Sequence, residues 1–323
     1  MTETNIMRLT YKKLLHFLLE YNTVLICLIM IIISSMVSDV FFTSTNITNL
    51  LRQVSGIGIL SLGMLLVILT GGIDLAVGSM VAMTSVLCGI FVLRLPLPLA
   101  IALTIIAGML AGSVSGYLVS MHRIAPFIAT LALMTIARGL GFILSKGSPI
   151  ILGDSGEALT LFGSGYFLGV PGPVLLMFLV FAVVAIVLRY TVFGRLTIAI
   201  GSNEEAVRLS GIRIGYYKWM VYIISGGLAA LAGIISTSRT GVGSPIIGVG
   251  LELDVIAAVV IGGASLNGGR GNALNTLLGV LILGMIGNIM NLMNIPAYPQ
   301  QVIKGGIIIA AVLLQRIQVR TKD

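Results

Sequence analysis

Residues 55 to 93 read SGIGILSLGMLLVILTGGIDLAVGSMVAMTSVLCGIFVL. These 39 residues carry a single charge. As one helix at about 1.5 Å per residue they would be nearly twice as long as the ~30 Å hydrocarbon core of a bilayer is thick. The run is interrupted once, at Thr70-Gly71-Gly72-Ile73-Asp74, which predicts two helices separated by a tight break. Gly71 and Gly72 suit the left-handed conformation that ends a helix, and Asp74 suits accepting hydrogen bonds from the open N–H groups of the helix that follows. A second departure runs from Thr237 to Gly250, rich in Gly and Ser and containing Pro245; the apolar segment after it is too short to cross a membrane alone. Irregular backbone at membrane depth survives only where protein or a watery cavity satisfies it. Either both places line a path through the protein, or they are tight loops at its surface.

The rest of the chain has the same character. Of 323 residues, 57% are hydrophobic and 9% charged, and the mean hydropathy is +1.11, whereas a soluble domain is roughly one quarter charged. The predicted fold class is therefore an all-α integral membrane protein of about ten transmembrane helices with broken or re-entrant segments. Ten apolar runs give the spans 23–38, 55–70, 75–93, 97–120, 124–144, 173–188, 218–236, 253–266, 272–293 and 297–315. With the N-terminus inside, thirteen of the 19 basic residues fall on the inner side and four (Arg52, Arg94, Lys146 and Arg239) on the outer. Arg138 and Lys304 lie within spans. The bias predicts both termini in the cytoplasm: a cytoplasmic segment over 1–22, one transmembrane domain over 23–315 with a polar loop at 189–217, and a cytoplasmic tail over 316–323. The formal charge of +8 belongs to this bias, so nucleic acid is not an expected partner, whereas membrane lipid is. The run after Tyr21 imitates a signal peptide but lacks a small-x-small cleavage site, and reads as an uncleaved first helix.

Several chemistries are disfavoured. There is no Gly-Lys dipeptide, hence no phosphate-cradling G-x-x-x-x-G-K-[ST] loop. The two histidines, His16 and His122, are far apart, and the two cysteines, Cys27 and Cys88, sit inside apolar runs, so no metal centre, triad or disulfide framework is expected. The reading is not an enzyme, with no cofactor in this chain. Forty glycines include Gly108, Gly112 and Gly116 at four-residue spacing, as are Ser225, Ala229 and Gly233, which predicts helices packed backbone to backbone.

Charges within spans cost about 2.5–3.5 kcal/mol each at a central position, so Arg138, Asp254 and Lys304 must face the bundle interior or reach an interface. Lys304 is close enough to a span end to snorkel. Arg138 is deeper and calls for a buried carboxylate or helix C-terminal carbonyls. Candidate pathway or helix-break residues are Gly71, Gly72, Asp74, Asp254, Asn288 and Asn291; Gln53 and Gln300 are further hydroxyl-compatible groups, none of them assignable as a binding site.

The long inner loop is centred on AIGSNEEAVRLSGI, residues 199–212. Ser202 or Asn203 caps a short helix, Glu204 and Glu205 suit its positive first turn, Ala206, Val207 and Leu209 form a small apolar face, and Gly211 stops it. A two-turn helix of this kind either docks in a partner's groove or packs on its own bundle.

The stretch Gly63 to Ser79 resembles the signature of the ribose/xylose-type sugar permeases of bacterial ATP-binding-cassette importers. So do Pro126 to Leu131 with Ala137-Arg138-Gly139, the Gly201 to Gly211 loop, Glu252 to Gly263, and Gly268 to Gly271, together spanning roughly residues 40 to 315 in the expected order. The resemblance implies a type II importer-like bundle in the bacterial inner membrane that pairs as a homodimer or heterodimer with a second permease. It also implies docking of two ATPase subunits, which carry ATP and Mg, and delivery of a monosaccharide by a periplasmic sugar-binding protein. The 201–211 loop is similar to the coupling helix of that family, which makes Asn203, Glu204, Glu205, Ala206, Arg208, Leu209 and Gly211 the contacts to the ATPase, with Ala206 and Leu209 as the buried face. Asn275 stands where relatives tend to carry glycine, and Asn288 to Pro299 replaces the common Asn-Asn-Gly-Leu-Asn pattern; both departures bear on which sugar is carried. The alternative class, an ion-coupled secondary transporter or channel for a small polar solute, needs intramembrane carboxylates, for which only Asp254, Asp74 and Glu252 are available.

Overall fold

A computed structural model describes residues 22–320. The helices, in chain order, are α1 Asn22–Val37, α2 Ser44–Leu69, α3 Val77–Val92, α4 Leu97–Ser120, α5 Pro126–Ser145, α6 Glu157–Ser164, α7 Gly172–Tyr190, α8 Val192–Ser202, α9 Glu204–Leu209, α10 Ile214–Thr240, α11 Leu251–Ile261, α12 Ala273–Leu292 and α13 Ala297–Arg320. Two small antiparallel ribbons join them: β1 Ile150–Ile151 with β4 Val242–Gly243, and β2 Tyr166–Phe167 with β3 Val170–Pro171. The predicted N-terminal segment, apart from Asn22, and residues 321–323 of the predicted tail lie outside the described residues.

Each of the ten apolar runs coincides with a helix. Six helices, α2, α4, α5, α7, α10 and α12, are long and apolar enough to cross a membrane; α1 and α3 are apolar but shorter. Some boundaries differ from the sequence reading. Helix α2 begins eleven residues before the predicted start at 55, because Thr43 caps it by accepting from the Asn46 N–H at 3.4 Å, and Asn46 and Leu50 are buried. Helix α10 runs on to Thr240 before Gly241, at φ 67°, ends it, so the first four residues of the predicted 237–250 departure are helical. Helix α13 continues to Arg320, through most of the predicted tail. Helices α6 and α8 and both ribbons were not foreseen.

Helix α10 is the central rod, packed against α4, α2 and α3. Its small residues serve two faces. A side chain on Gly112 of α4 would run into the Tyr222 carbonyl oxygen and the Gly226 backbone, and one on Gly116 would meet Trp219 and Tyr222. On the other face Ser225 meets Gly63 of α2, and Gly233 meets Val81 and Thr84 of α3. The two predicted stripes are thus real contact faces, but they do not face each other.

Helices α3 and α11 are about 24 and 16 Å long, both short of a full crossing. Residues 70–76 start at one end of the bundle, where Gly71 is exposed, and are buried at Gly72, Asp74 and Ala76. They run inward beside α10, where Gly72 abuts the Tyr222 hydroxyl and the fully buried Asp74 accepts from Ser225 Oγ at 3.0 Å and from the Ala76 N–H at 3.1 Å. The N-terminus of α3 therefore lies inside the bundle. There it meets the start of α11, where Gly78 packs directly on the Gly248 carbonyl and the Glu252 carboxylate. From that meeting point the two short helices run toward opposite ends of the bundle.

Candidate functional site

One end of the bundle gathers three chain segments around backbone. Helix α8 ends at Gly201-Ser202, where a Cβ on Gly201 would strike the Leu69 carbonyl. The same carbonyl accepts from the Gly269 N–H at 3.0 Å, and Ser202 Oγ donates to the Gly269 carbonyl at 3.5 Å. Gly71, at φ 80°, and Gly268 and Gly269, at φ 90° and 71°, adopt conformations that favour glycine. The end of α2, the end of α8 and the 265–271 loop are therefore one backbone-packed cluster.

Immediately beyond Ser202 stands α9. Asn203 caps it by accepting from the Ala206 N–H at 2.9 Å, and Gly211 closes it at φ 77°. Val207 is buried against Ile200 and Ile214, which fastens the helix to the bundle. Ala206 and Leu209 face outward, Leu209 with 78% of its surface exposed. The predicted apolar face is thus divided: Val207 packs inward, while Ala206 and Leu209 are left open. Arg208 grips Glu205 through two hydrogen bonds of 2.6 and 3.0 Å, and these hold the Glu205 carboxyl below the usual carboxylate range. Lys218 of α10 pairs with Glu204 at 2.7 Å. Between α9 and the 119–126 turn lies a 760 Å³ cleft lined by Ser120, Arg123, Ile124, Glu204, Arg208 and Lys218.

The charged residues within spans are engaged in the interior. Arg138 donates to the carbonyls of Pro245 (2.9 Å) and Ile247 (2.6 Å), so its partners are carbonyls of the irregular 244–250 strap rather than of a helix end. Lys304 pairs with Asp254 at 2.8 Å instead of snorkelling. Asn288 exchanges amide hydrogen bonds with Asn46 at 2.8 and 3.1 Å in a buried pair, and Asn291, exposed, accepts from Gln300 at 2.8 Å. Of the named candidates, Gly71, Gly72 and Asp74 come together at the break; Asp254 stands apart, and Asn288 and Asn291 belong to a third region.

A 300 Å³ cavity opens between α2, α3, α10 and the strap. Gln53, Gly56, Ile57 and Leu60 line one side, Ser236 and Arg239 another, and residues 247–249 with Leu251 a third. A 40 Å³ side cavity shares Gln53 and Ile57 and reaches Asp254 and Lys304. Ser236 and Arg239 escaped the sequence reading because they lie at the end of a long apolar helix, where Arg239 counts only as an outer-side cation. Their three-residue spacing, which puts both on one face, was the available signal.

The family described as branched-chain amino acid transport system permease component matches residues 46–312. The chain is similar to the ribose import permease of Bacillus subtilis, 45% identical over 95% of this chain and 97% of that one, and to that of Haemophilus influenzae, 43% identical over 92% and 93%. It is also similar to the L-arabinose ABC transporter permease of Azospirillum brasilense, 37% identical over 91% and 86%. No solved structure matches the chain.

Proposed function

The chain belongs to the permease-component family that matches residues 46–312, and from that premise we propose that it is the membrane subunit of an ATP-binding-cassette importer for a monosaccharide. Relatives named for ribose and L-arabinose cover nearly the whole chain, which supports a pentose-sized sugar as cargo. The observation that carries the mechanism is α9: a capped two-turn helix, fastened by Val207, that offers Leu209 outward and leads through Gly201-Ser202 directly to the end of α2. In this reading ATPase subunits seat on α9, with Asn203, Glu204, Glu205, Ala206, Arg208, Leu209 and Gly211 at the contact. ATP and Mg are bound and hydrolysed there and not in this chain.

A push on α9 moves Gly201 against Leu69. The break at 70–76 lets α3 tilt independently of α2, and the interior opens alternately to the two sides. A second permease copy, identical or homologous, completes the conduit, and a periplasmic sugar-binding protein loads it at the end carrying the ribbons. The positive-inside bias supports ten spans over 23–315 in the inner membrane, with both termini and α9 in the cytoplasm. The ion-coupled alternative gains no support: Asp254 is paired with Lys304, and Asp74 is occupied by Ser225 and the Ala76 N–H.

The test uses the permease co-expressed with its cassette and binding protein. Leu209→Glu places a charge on an exposed residue that contributes nothing to the bundle core, so the permease is expected to accumulate and fold normally while cassette co-purification and ribose uptake fall at least tenfold. Undiminished co-purification, or uptake that persists with no cassette subunit present, refutes the proposal.

A further inference from the structure

The 300 Å³ cavity carries polar groups that the protein itself leaves unused. Gln53, Ser236 and Arg239 line it, and the side chains of all three lack a hydrogen bond or ion pair with any described residue. Nearby charged groups are engaged: Arg52 through its terminal guanidinium nitrogen with the Ser164 carbonyl and over the Tyr166 ring, Arg138 with the strap, and Lys304 with Asp254. Gln53 and Arg239 are exposed and Ser236 is half-buried, so their hydrogen-bonding groups are open to a solute that enters the chamber.

The lining defines what that partner is. Arg239 offers a planar fork of donors, Gln53 two donors and an acceptor, and Ser236 a hydroxyl that does either. The remaining surface is apolar, from Ile57, Leu60, Val81, Ile235 and Ile247. Donors on two helices, Gln53 on α2 and Ser236 and Arg239 on α10, set among aliphatic side chains of the same helices match a solute that carries both hydroxyls and C–H faces. No carboxylate lines this chamber, so an ammonium group finds no counter-charge, and Arg52 lies near enough to Arg239 for the two to repel, which disfavours cations further. The volume sits at the lower end of the ~300–1,000 Å³ typical of small-molecule sites.

We infer that this chamber is a transient recognition site for a neutral polyhydroxylated solute of monosaccharide size, with Arg239 and Gln53 as its principal hydroxyl ligands and Ser236 as an adjustable third. The inference rests on the importer reading and adds the place within the conduit where cargo pauses. Of the candidate residues named from the sequence, Gln53 lines it, whereas Gly71, Gly72, Asp74, Asp254, Asn288 and Asn291 do not.

The experiment is ribose uptake by proteoliposomes holding the complete importer with its loaded binding protein. Arg239→Met keeps the length of the side chain and removes its donors; Gln53→Leu and Ser236→Ala do the same at the other two positions. Complex assembly, read by cassette co-purification, reports folding. The expected result is an uptake rate about tenfold lower for Arg239→Met, the scale of a lost charged hydrogen bond, with a smaller loss for Gln53→Leu and partial recovery in Arg239→Lys. Should Arg239→Met fail to assemble, Gln53→Leu and Arg239→Lys decide. Uptake within twofold of the unmodified importer in every assembled variant overturns the recognition site and leaves the importer reading standing. An unmodified, fully assembled importer that moves no ribose or L-arabinose overturns both.

Discussion

The ion pair between Asp254 of α11 and Lys304 of α13 should be worth far more than a surface pair, and its size can be worked out. At 2.8 Å, with an effective dielectric constant near 20, the attraction is about 6 kcal/mol. Most of this is offset by removing both charges from water. What remains is visible mainly when one partner is deleted, because the other is left in apolar surroundings. A fully buried pair then loses about 3–5 kcal/mol. With 30% of the Lys304 side chain and 21% of the Asp254 side chain exposed, water relieves part of that, and about 2 kcal/mol is expected for either Lys304→Met or Asp254→Asn alone. The double variant leaves no orphan charge and should cost about as much as one single substitution, giving a coupling of roughly 2 kcal/mol. Equilibrium unfolding in mixed micelles measures this, with the lone tryptophan as the reporter. Trp219 donates to the carbonyl and hydroxyl oxygens of Ser113 at 3.1 and 3.0 Å and so senses separation of α10 from α4. Single-variant costs that add in the double to within about 0.5 kcal/mol would show that the two charges do not depend on each other.

Two further outcomes test the packing. Gly112→Val on α4 drives a branched side chain into the backbone of α10, so a loss of about 1–3 kcal/mol and a lowered Tm are expected; Gly139→Ala on α5, where a Cβ meets nothing within 4 Å, should change stability by less than about 0.5 kcal/mol. Arg138→Met releases the carbonyls of Pro245 and Ile247, and hydrogen exchange across 244–250 should accelerate at least tenfold while exchange in α12 stays unchanged; equal protection in both proteins would mean the strap is held by something else.

Much of this bundle was legible because the bilayer imposes a length and a polarity on each span. All ten apolar runs became helices, and the cap and stop of α9 were readable because Asn203 and Gly211 act within a few residues of themselves. The start of α2 was hidden. Ser44 to Arg52 is polar enough to read as a loop, and it is helical because Asn46 finds a buried partner 242 residues away in Asn288. The two departures from plain helix were visible as sequence, but whether they lay at the surface or inside depended on Asp74 meeting Ser225 and on Arg138 meeting the strap, contacts between elements far apart in the chain. The cavity was the least legible feature. Gln53 was named from the sequence only as one hydroxyl-compatible group among several, Ser236 and Arg239 were not, and only their shared place on one chamber, a property of the folded state, brings the three together.

The place where α3 and α11 butt together has a mechanical consequence. Gly78 and Gly248 present bare backbone to each other, with the Glu252 carboxylate packed against Gly78 beside them, so the joint holds few side-chain rotamers that must change when one rod turns against the other. Elsewhere in the interior, close packing resists gradual deformation; here two stubby rods share a plain bearing. Any residue larger than glycine at either position would act as grit, seizing the pivot before it loosened the bundle.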